Sequence, residues 1–280
     1  MIELGMHTDN WRALSGSFAK AADTAVKYGL KHLEFAAING QYFIQAMGYE
    51  PGISLQSNPR ALKRYLDERG LVISQIDGSY PFMGPDGSAF GVHYVQQSIR
   101  FAAELDCPMV DTVDGAFEIP GFTRDEIFRI TCDNYRQVLP WAEDYNVVIN
   151  VEPHGPYTND PDFMLKLFKH FDSPYLRCNF DTGNSFIAGH DPLEYLKTLR
   201  PYVSHLHIKD VSEGLAAAVR GEETGIACSE VPIGGGVNAE NIKKCFAYLK
   251  ETGWEGVVSL ECYGADDNIR ASVEFLRPLV

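Results

Sequence analysis

The sequence predicts an α/β protein, a single (β/α)8 barrel over residues 1–280, and three observations predict it. Eight short β-like runs alternate strictly with longer runs of helical periodicity. Each β-like run ends in or beside a polar residue able to do chemistry. The 280 residues, 45% hydrophobic, suffice for one large core, and no Pro/Gly/Ser-rich linker, low-complexity tract or short repeat divides them.

The elements follow in chain order. A strand over 2–7 precedes a helix over 17–28, which Gly29 stops. The second pair is 32–35 and 58–69, with Gly70 as terminator. The third is 72–77 and, after a Pro- and Gly-rich loop, 93–105. The fourth and fifth are 109–113 with 124–145, and 147–152 with 161–171. The sixth is 176–181 with 192–199. After the seventh strand, 203–208, a long connection over 209–236 leads to a helix at 239–252. The eighth strand, 256–262, is followed by a helix over 268–276. Strands that alternate with helices must return by crossovers and form parallel sheets. Eight such units fit a closed barrel better than an open doubly wound sheet. The first unit also lacks the G-x-G-x-x-G turn of a dinucleotide fold.

The N-terminus has no basic region followed by an apolar one, and no apolar run approaches a membrane span of ~20 residues, so a cytoplasmic protein without a membrane partner is expected. The six cysteines are scattered, without a CxxC pair, as structural thiols are in a reducing compartment. A formal charge of −14 disfavours nucleic acid as a partner and suits a cation with a neutral polyol or sugar.

In such barrels the active site lies at the C-terminal ends of the strands. The first four strands end in His7, Glu34, Asp77, and the pair Asp111 and Asp114. The last four share one design: an apolar strand carrying Glu152, Asp181, His207 or Glu261 at its end. Side chains alternate along a strand, so Asn150 shares a face with Glu152, Asn179 with Asp181, His205 with His207, and Ser259 with Glu261. Four neighbouring strands would thus aim one ligand each at a common point. Three carboxylates placed together repel one another, and a divalent cation removes that penalty. Three oxygen ligands and an imidazole, without thiolate, favour Mn2+, Mg2+ or a similar borderline-hard ion over a structural zinc; one divalent ion is expected, Mn2+ first, with Mg2+, Co2+ or Zn2+ as alternatives.

The strings NVEPHG, NFDTGN, SHLHIKD and SLECYG, at residues 150–155, 179–184, 204–210 and 259–264, resemble the strand ends of the xylose isomerase-like barrel superfamily. That group includes sugar phosphate isomerase/epimerase-like proteins, ketose 3-epimerases, inosose-processing enzymes and endonuclease IV. The resemblance implies that Glu152, Asp181, His207 and Glu261 hold one metal ion, and that Glu152 and Glu261 also act as acid and base on the two faces of the substrate. It implies an isomerase or epimerase of a keto-sugar or polyol ketone, working by proton abstraction beside the carbonyl through an enediolate. A lyase on the same scaffold is the alternative: a dehydratase, or a C-glycoside-cleaving enzyme with a small partner subunit docked at the loop 211–236. An endonuclease or a noncatalytic sugar-binding barrel ranks lower. Asn184 stands where many relatives carry histidine, and no histidine ends strands three or four, so a mononuclear site is expected.

Further candidates for substrate contact are His154, two residues past Glu152, with His7, Asn184, Lys209, Arg220 and Trp11. His205 lies one layer deeper than His207, as a supporting residue would. Asp210 is placed to orient His207. Tyr42, Phe43 and Tyr80 are candidate sugar-stacking aromatics. The triplet Gly234-Gly235-Gly236 resembles a phosphate cradle but lacks a P-loop lysine. A homo-oligomer is expected.

Overall fold

The computed structural model describes residues 1–11, 17–38, 52–79, 81–222, 225–226, 231–264 and 266–280. Eight strands close a parallel barrel: β1 Ile2–His7, β2 His32–Ile38, β4 Val72–Ser79, β5 Met109–Thr112, β6 Val148–Val151, β7 Leu176–Asp181, β8 Val203–Ile208 and β9 Gly256–Leu260. Each pairs with its neighbour in that order, and β9 returns to β1. The two-residue strand β3, Ile53–Ser54, extends β2 outside the ring.

The expected helices form with small shifts at their ends. Ser17 caps Phe18–Lys27 and Asn58 caps Pro59–Asp67, each accepting backbone N–H groups of the first turn. Thr123 and Glu126 close a capping box on Arg124–Tyr145, which ends at Asn146 in a left-handed conformation (φ 52°). Among the described residues no helix is long and apolar enough to cross a membrane. Five of the cysteines are buried free thiols; Cys228 lies outside the described residues.

Two expectations need correction. The second strand runs on to Ile38, so Glu34 sits inside the strand rather than at its end. The connection after the seventh strand also contains a helix, Glu213–Val219, whose N-cap Ser212 accepts the Leu215 N–H.

The apolar core lies between the strands and the helices. Ile149, Val151, Phe180, Leu206, Val258 and Leu260 join Leu167, Phe168, Leu196, Ile242 and Phe246 of the helices in one buried cluster. The interior of the barrel is polar instead. Hydrogen bonds cross it between strands that are not neighbours: Ser204 Oγ to Asn150 Oδ1 (2.5 Å), Asn150 to Gln75, and Asn179 Nδ2 to Asp111 Oδ2 (2.8 Å). Buried polar groups must find partners or lose several kcal/mol, and the amides and hydroxyl of this layer find them across the barrel, although Glu34 Oε2 and Asp111 Oδ1 accept no hydrogen bond. Two irregularities in register serve this layer. One places Gln75 opposite Glu34, and the other places His205 opposite Asn179.

Candidate functional site

Asp181 closes β7 and at the same time caps the following helix, Thr182–Ile187. Its Oδ1 accepts the Gly183 and Asn184 N–H groups at 2.7 and 2.8 Å, which turns Oδ2 into the mouth. Glu152 and Glu261 stand just past β6 and β9, each with its N–H bonded to the neighbouring strand, to Thr112 and Ile208 respectively. His207 is the fifth residue of β8. Four strand ends therefore converge: one ligand atom each from Glu152, Asp181, His207 and Glu261 lies within 4.8 Å of the others, all buried. His207 Nδ1 is 3.4 Å from Glu152 Oε1 and 3.2 Å from Glu261 Oε2.

Lys209 enters the same space. Its Nζ lies 2.6 Å from Glu261 Oε2, 2.8 Å from Asp181 Oδ2 and 3.9 Å from Glu152 Oε1, with the side chain 10% exposed. The ammonium balances carboxylates that would otherwise repel. Burial alone would lower its pKa, but Asp181, Glu261 and Glu152 hold it well above the usual lysine value. Burial pushes the Asp181 carboxyl up to about 7, against the pull of Lys209. In Glu261 burial is outweighed by His207 and Lys209, which bring it to about 2.

The donor set fits a divalent cation. Three carboxylate oxygens and an imidazole nitrogen converge, and the buried Asp181 Oδ2 and Glu261 Oε2 both turn to the same positive charge, the Lys209 ammonium. The ion pairs with Lys209 mark where positive charge is wanted. A divalent ion would bind there in exchange for the ammonium.

The other expected residues divide into two groups. Asn184 donates its Nδ2–H to Glu152 Oε1 at 2.9 Å, so it holds that carboxylate in place. His7 lies beneath Glu261, its Nδ1 3.7 Å from Glu261 Oε1; Nδ1 accepts the Asp9 N–H at 2.8 Å and Nε2 contacts Asp77 Oδ2 at 2.9 Å. His154 is half-buried at the mouth, and its Nδ1–H donates to the Asp114 carbonyl at 3.1 Å. The turn that carries it depends on Gly155, at φ +83°, where a Cβ would come within 2.0 Å of the Gly115 carbonyl. Asp114 anchors that turn through the Tyr157 and Thr158 N–H groups.

Arg220 is not brought to the quartet. Its guanidinium donates to the carbonyls of Phe186, Gly189 and His190 and lies 4.5 Å from the centroid of the Phe186 ring. Trp11 is packed in the core with 1% exposure. Tyr42, Phe43 and Tyr80 lie outside the described residues.

Asp210 does not orient His207. Its carboxylate accepts the N–H groups of Gly234, Gly236 and Asn238 at 2.9 Å each. Those glycine N–H groups thus face a protein carboxylate rather than a phosphate. Lys209 and Asp210 are adjacent but turn to opposite tasks. The acceptor on His207 is Glu34, whose Oε1 is 3.0 Å from Nε2. Sequence reasoning placed Glu34 at a strand end but gave it no role; its signal was a glutamate in an otherwise apolar strand. His205, one layer below His207, bonds Asn179 Oδ1 at 2.9 Å, and burial pulls its pKa down to about 4, so it is neutral.

The sequence profile of the family described as "Xylose isomerase-like TIM barrel" matches residues 10–279. The inosose dehydratase of Clostridium beijerinckii is 24% identical over 173 residues, covering 59% of this chain and 55% of that protein. The 3-dehydroshikimate dehydratase of Bacillus anthracis is 26% identical over 153 residues, covering 50% and 52%. The chain therefore spans about half the length of the curated relatives it matches. Among solved structures, the D-allulose 3-epimerase of Methylomonas sp. in complex with D-allulose superposes with a TM-score of 0.76 at 15% identity, over 100% of this chain and 97% of that one. At that identity the likeness speaks for the fold.

Proposed function

We propose that this chain, which belongs to the xylose isomerase-like TIM barrel family, is a divalent-metal-dependent isomerase or epimerase of a keto-sugar or related polyol ketone. The observation that carries the reading is the convergence of Glu152 and Glu261 with Asp181 and His207 in one buried mouth. A bound divalent ion, with Mn2+ expected first, would stabilise negative charge developing on the substrate's carbonyl oxygen.

The chain's own residues do the rest. One of the two glutamates removes the proton from the carbon beside the carbonyl, and the other returns it. Return to the opposite face inverts the centre; return to the neighbouring carbon isomerises. Asn184 holds Glu152 through Oε1, which leaves Oε2 for the proton. His154, whose Nδ1–H is given to the Asp114 carbonyl, is the candidate substrate contact beside Glu152. Lys209, once exchanged for the cation, becomes a donor for a substrate oxygen.

A second reading is favoured by the curated relatives, which are dehydratases. The same abstraction followed by loss of a β-hydroxyl gives a lyase. Cleavage of a C-glycoside with a partner at the loop 211–236 belongs to the same class. The test is incubation with Mn2+ and a panel of ketohexoses and ketoinositols in D2O, read by NMR and mass. Deuterium uptake beside the carbonyl with no change of formula identifies an isomerase or epimerase. Loss of water identifies a dehydratase. Neither uptake nor elimination across the panel overturns proton abstraction.

A further inference from the structure

We propose that Glu34 is a positioning residue for the cation site, fixing His207 so that Nδ1 and not Nε2 is the metal-binding nitrogen. The proposal rests on the reading of Glu152, Asp181, His207 and Glu261 as a divalent-cation site.

Glu34 is a carboxylate at 0% exposure in the barrel interior. Burying a charge costs heavily unless it is paired, yet no lysine or arginine among the described residues pairs with it. Its neighbours are imidazoles and an amide. Oε1 receives the Gln75 Nε2–H at 2.7 Å and lies 3.0 Å from His207 Nε2; Oε2 lies 3.8 Å from His205 Nε2. The position is built rather than incidental. The register irregularity on β4 sets Gln75 directly opposite Glu34, and Gln75 is braced by Asn150.

A carboxylate only accepts, so the contact with Glu34 requires a proton on His207 Nε2. Asn179 Nδ2 gives one hydrogen to Asp111 Oδ2 at 2.8 Å and lies 3.1 Å from the same nitrogen, but a proton on Nε2 shared with the Glu34 carboxylate makes the stronger, charge-assisted bond. With Nε2 protonated, the ring has one lone pair to give, on Nδ1. That nitrogen faces Glu152 Oε1 and Glu261 Oε2, on the side where Lys209 Nζ enters. The carboxylate behind the ring also makes Nδ1 a better donor, as carboxylates behind metal-binding histidines do elsewhere. Asp210, the nearer residue in sequence, is unavailable for this task because its oxygens hold the Gly234–Asn238 turn.

The experiment uses the Zn2+-loaded protein labelled with 15N-histidine. Zn2+ is diamagnetic and permits long-range 1H–15N NMR of His207, and its affinity is measured by competition with a chelator. The wild type is expected to show His207 bound through Nδ1 with Nε2 protonated. E34Q keeps an acceptor oxygen but loses the charge; it should keep the Nδ1 pattern and bind Zn2+ about tenfold more weakly. E34L removes both, and should weaken binding by about a hundredfold and scramble which nitrogen is bound. A merely structural glutamate would lower stability in both variants but leave the His207 nitrogen pattern and the affinity of the folded protein unchanged. E34Q at wild-type affinity overturns the proposal, and E34Q decides the matter if E34L fails to fold. A wild type that binds no Zn2+ overturns the cation site itself, and that outcome is distinct from the failure of Glu34.

Discussion

Replacing Lys209 with Met tests the charge balance of the mouth most directly. Its ammonium contacts Glu261 and Asp181 at 2.6 and 2.8 Å. At an effective dielectric of about 20, each such contact is worth about 6 kcal/mol gross. Desolvation of the three buried groups offsets most of this, and the net cost of removing one partner from a buried cluster is about 3–5 kcal/mol. At about 2–3 °C per kcal/mol for a chain of this size, the metal-free protein should melt roughly 10 °C lower. Metal binding should move the other way. In the wild type a divalent ion must displace the ammonium, and in Lys209→Met it need not. Relocation of the lysine recovers part of the lost interaction, so the gain in Mn2+ affinity should fall between about tenfold and a hundredfold, each tenfold being about 1.4 kcal/mol. Thermal melts with and without chelator give the first quantity, and titration calorimetry with Mn2+ gives the second. Unchanged metal-free stability together with unchanged or weaker Mn2+ binding would refute the exchange of ammonium for metal.

Glu152→Gln and Glu261→Gln should each lower kcat by about a hundredfold or more, since each removes an acid–base group; near-wild-type turnover with metal retained refutes the pairing. Chelation should abolish turnover and Mn2+ should restore it, which dialysis followed by assay decides. Gly155→Ala should destabilise the protein by about 1–3 kcal/mol and raise KM, because a Cβ there meets the Gly115 carbonyl and displaces the His154 turn; an unfolding curve and steady-state kinetics check both. His205 is held neutral by burial, its value lowered from 6.5 to about 4. The stability this reflects is present above pH 6.5 and is lost as pH falls through 4, up to about 3 kcal/mol. Urea unfolding between pH 7 and 4 should therefore steepen in the wild type relative to His205→Gln, and parallel curves refute it.

The barrel was legible because its two signals are local. Alternating strand and helix periodicities give the units, and Ser17, Asn58 and Gly70 mark helix ends through caps that act within one turn. The four converging side chains were legible because each ends its own strand. What the sequence hid is long-range or depends on side-chain direction. The Glu34–His207 contact joins residues 173 apart, and nothing near Glu34 announces it. Lys209 and Asp210 are adjacent, yet one turns into the mouth and the other holds the Gly234–Asn238 turn, a division no spacing rule supplies. The helix Glu213–Val219 had readable signals in Ser212, Glu213 and three alanines. Its burial pattern was no guide, because none of its residues is buried.

The strands themselves carry a further lesson. In a parallel sheet covered on both faces, strands usually read as continuous apolar runs. Here β7 reads Leu-Arg-Cys-Asn-Phe-Asp and β8 Val-Ser-His-Leu-His-Ile, alternating as half-exposed strands do. Yet Asn179, Asp181, His205 and His207 are all buried. Alternation in a fully buried parallel strand means that one face meets a polar interior. Such an interior is stable only when its groups satisfy each other, so Gln75, Asn150 and Asn179 follow from the same requirement as the four mouth residues above them. The register irregularities at Glu34 and Asn179 are then part of the site, because they bring those partners into line. The mouth and the polar floor form one hydrogen-bonded structure, and a substitution in the floor should be felt at His207 before it is felt in the fold.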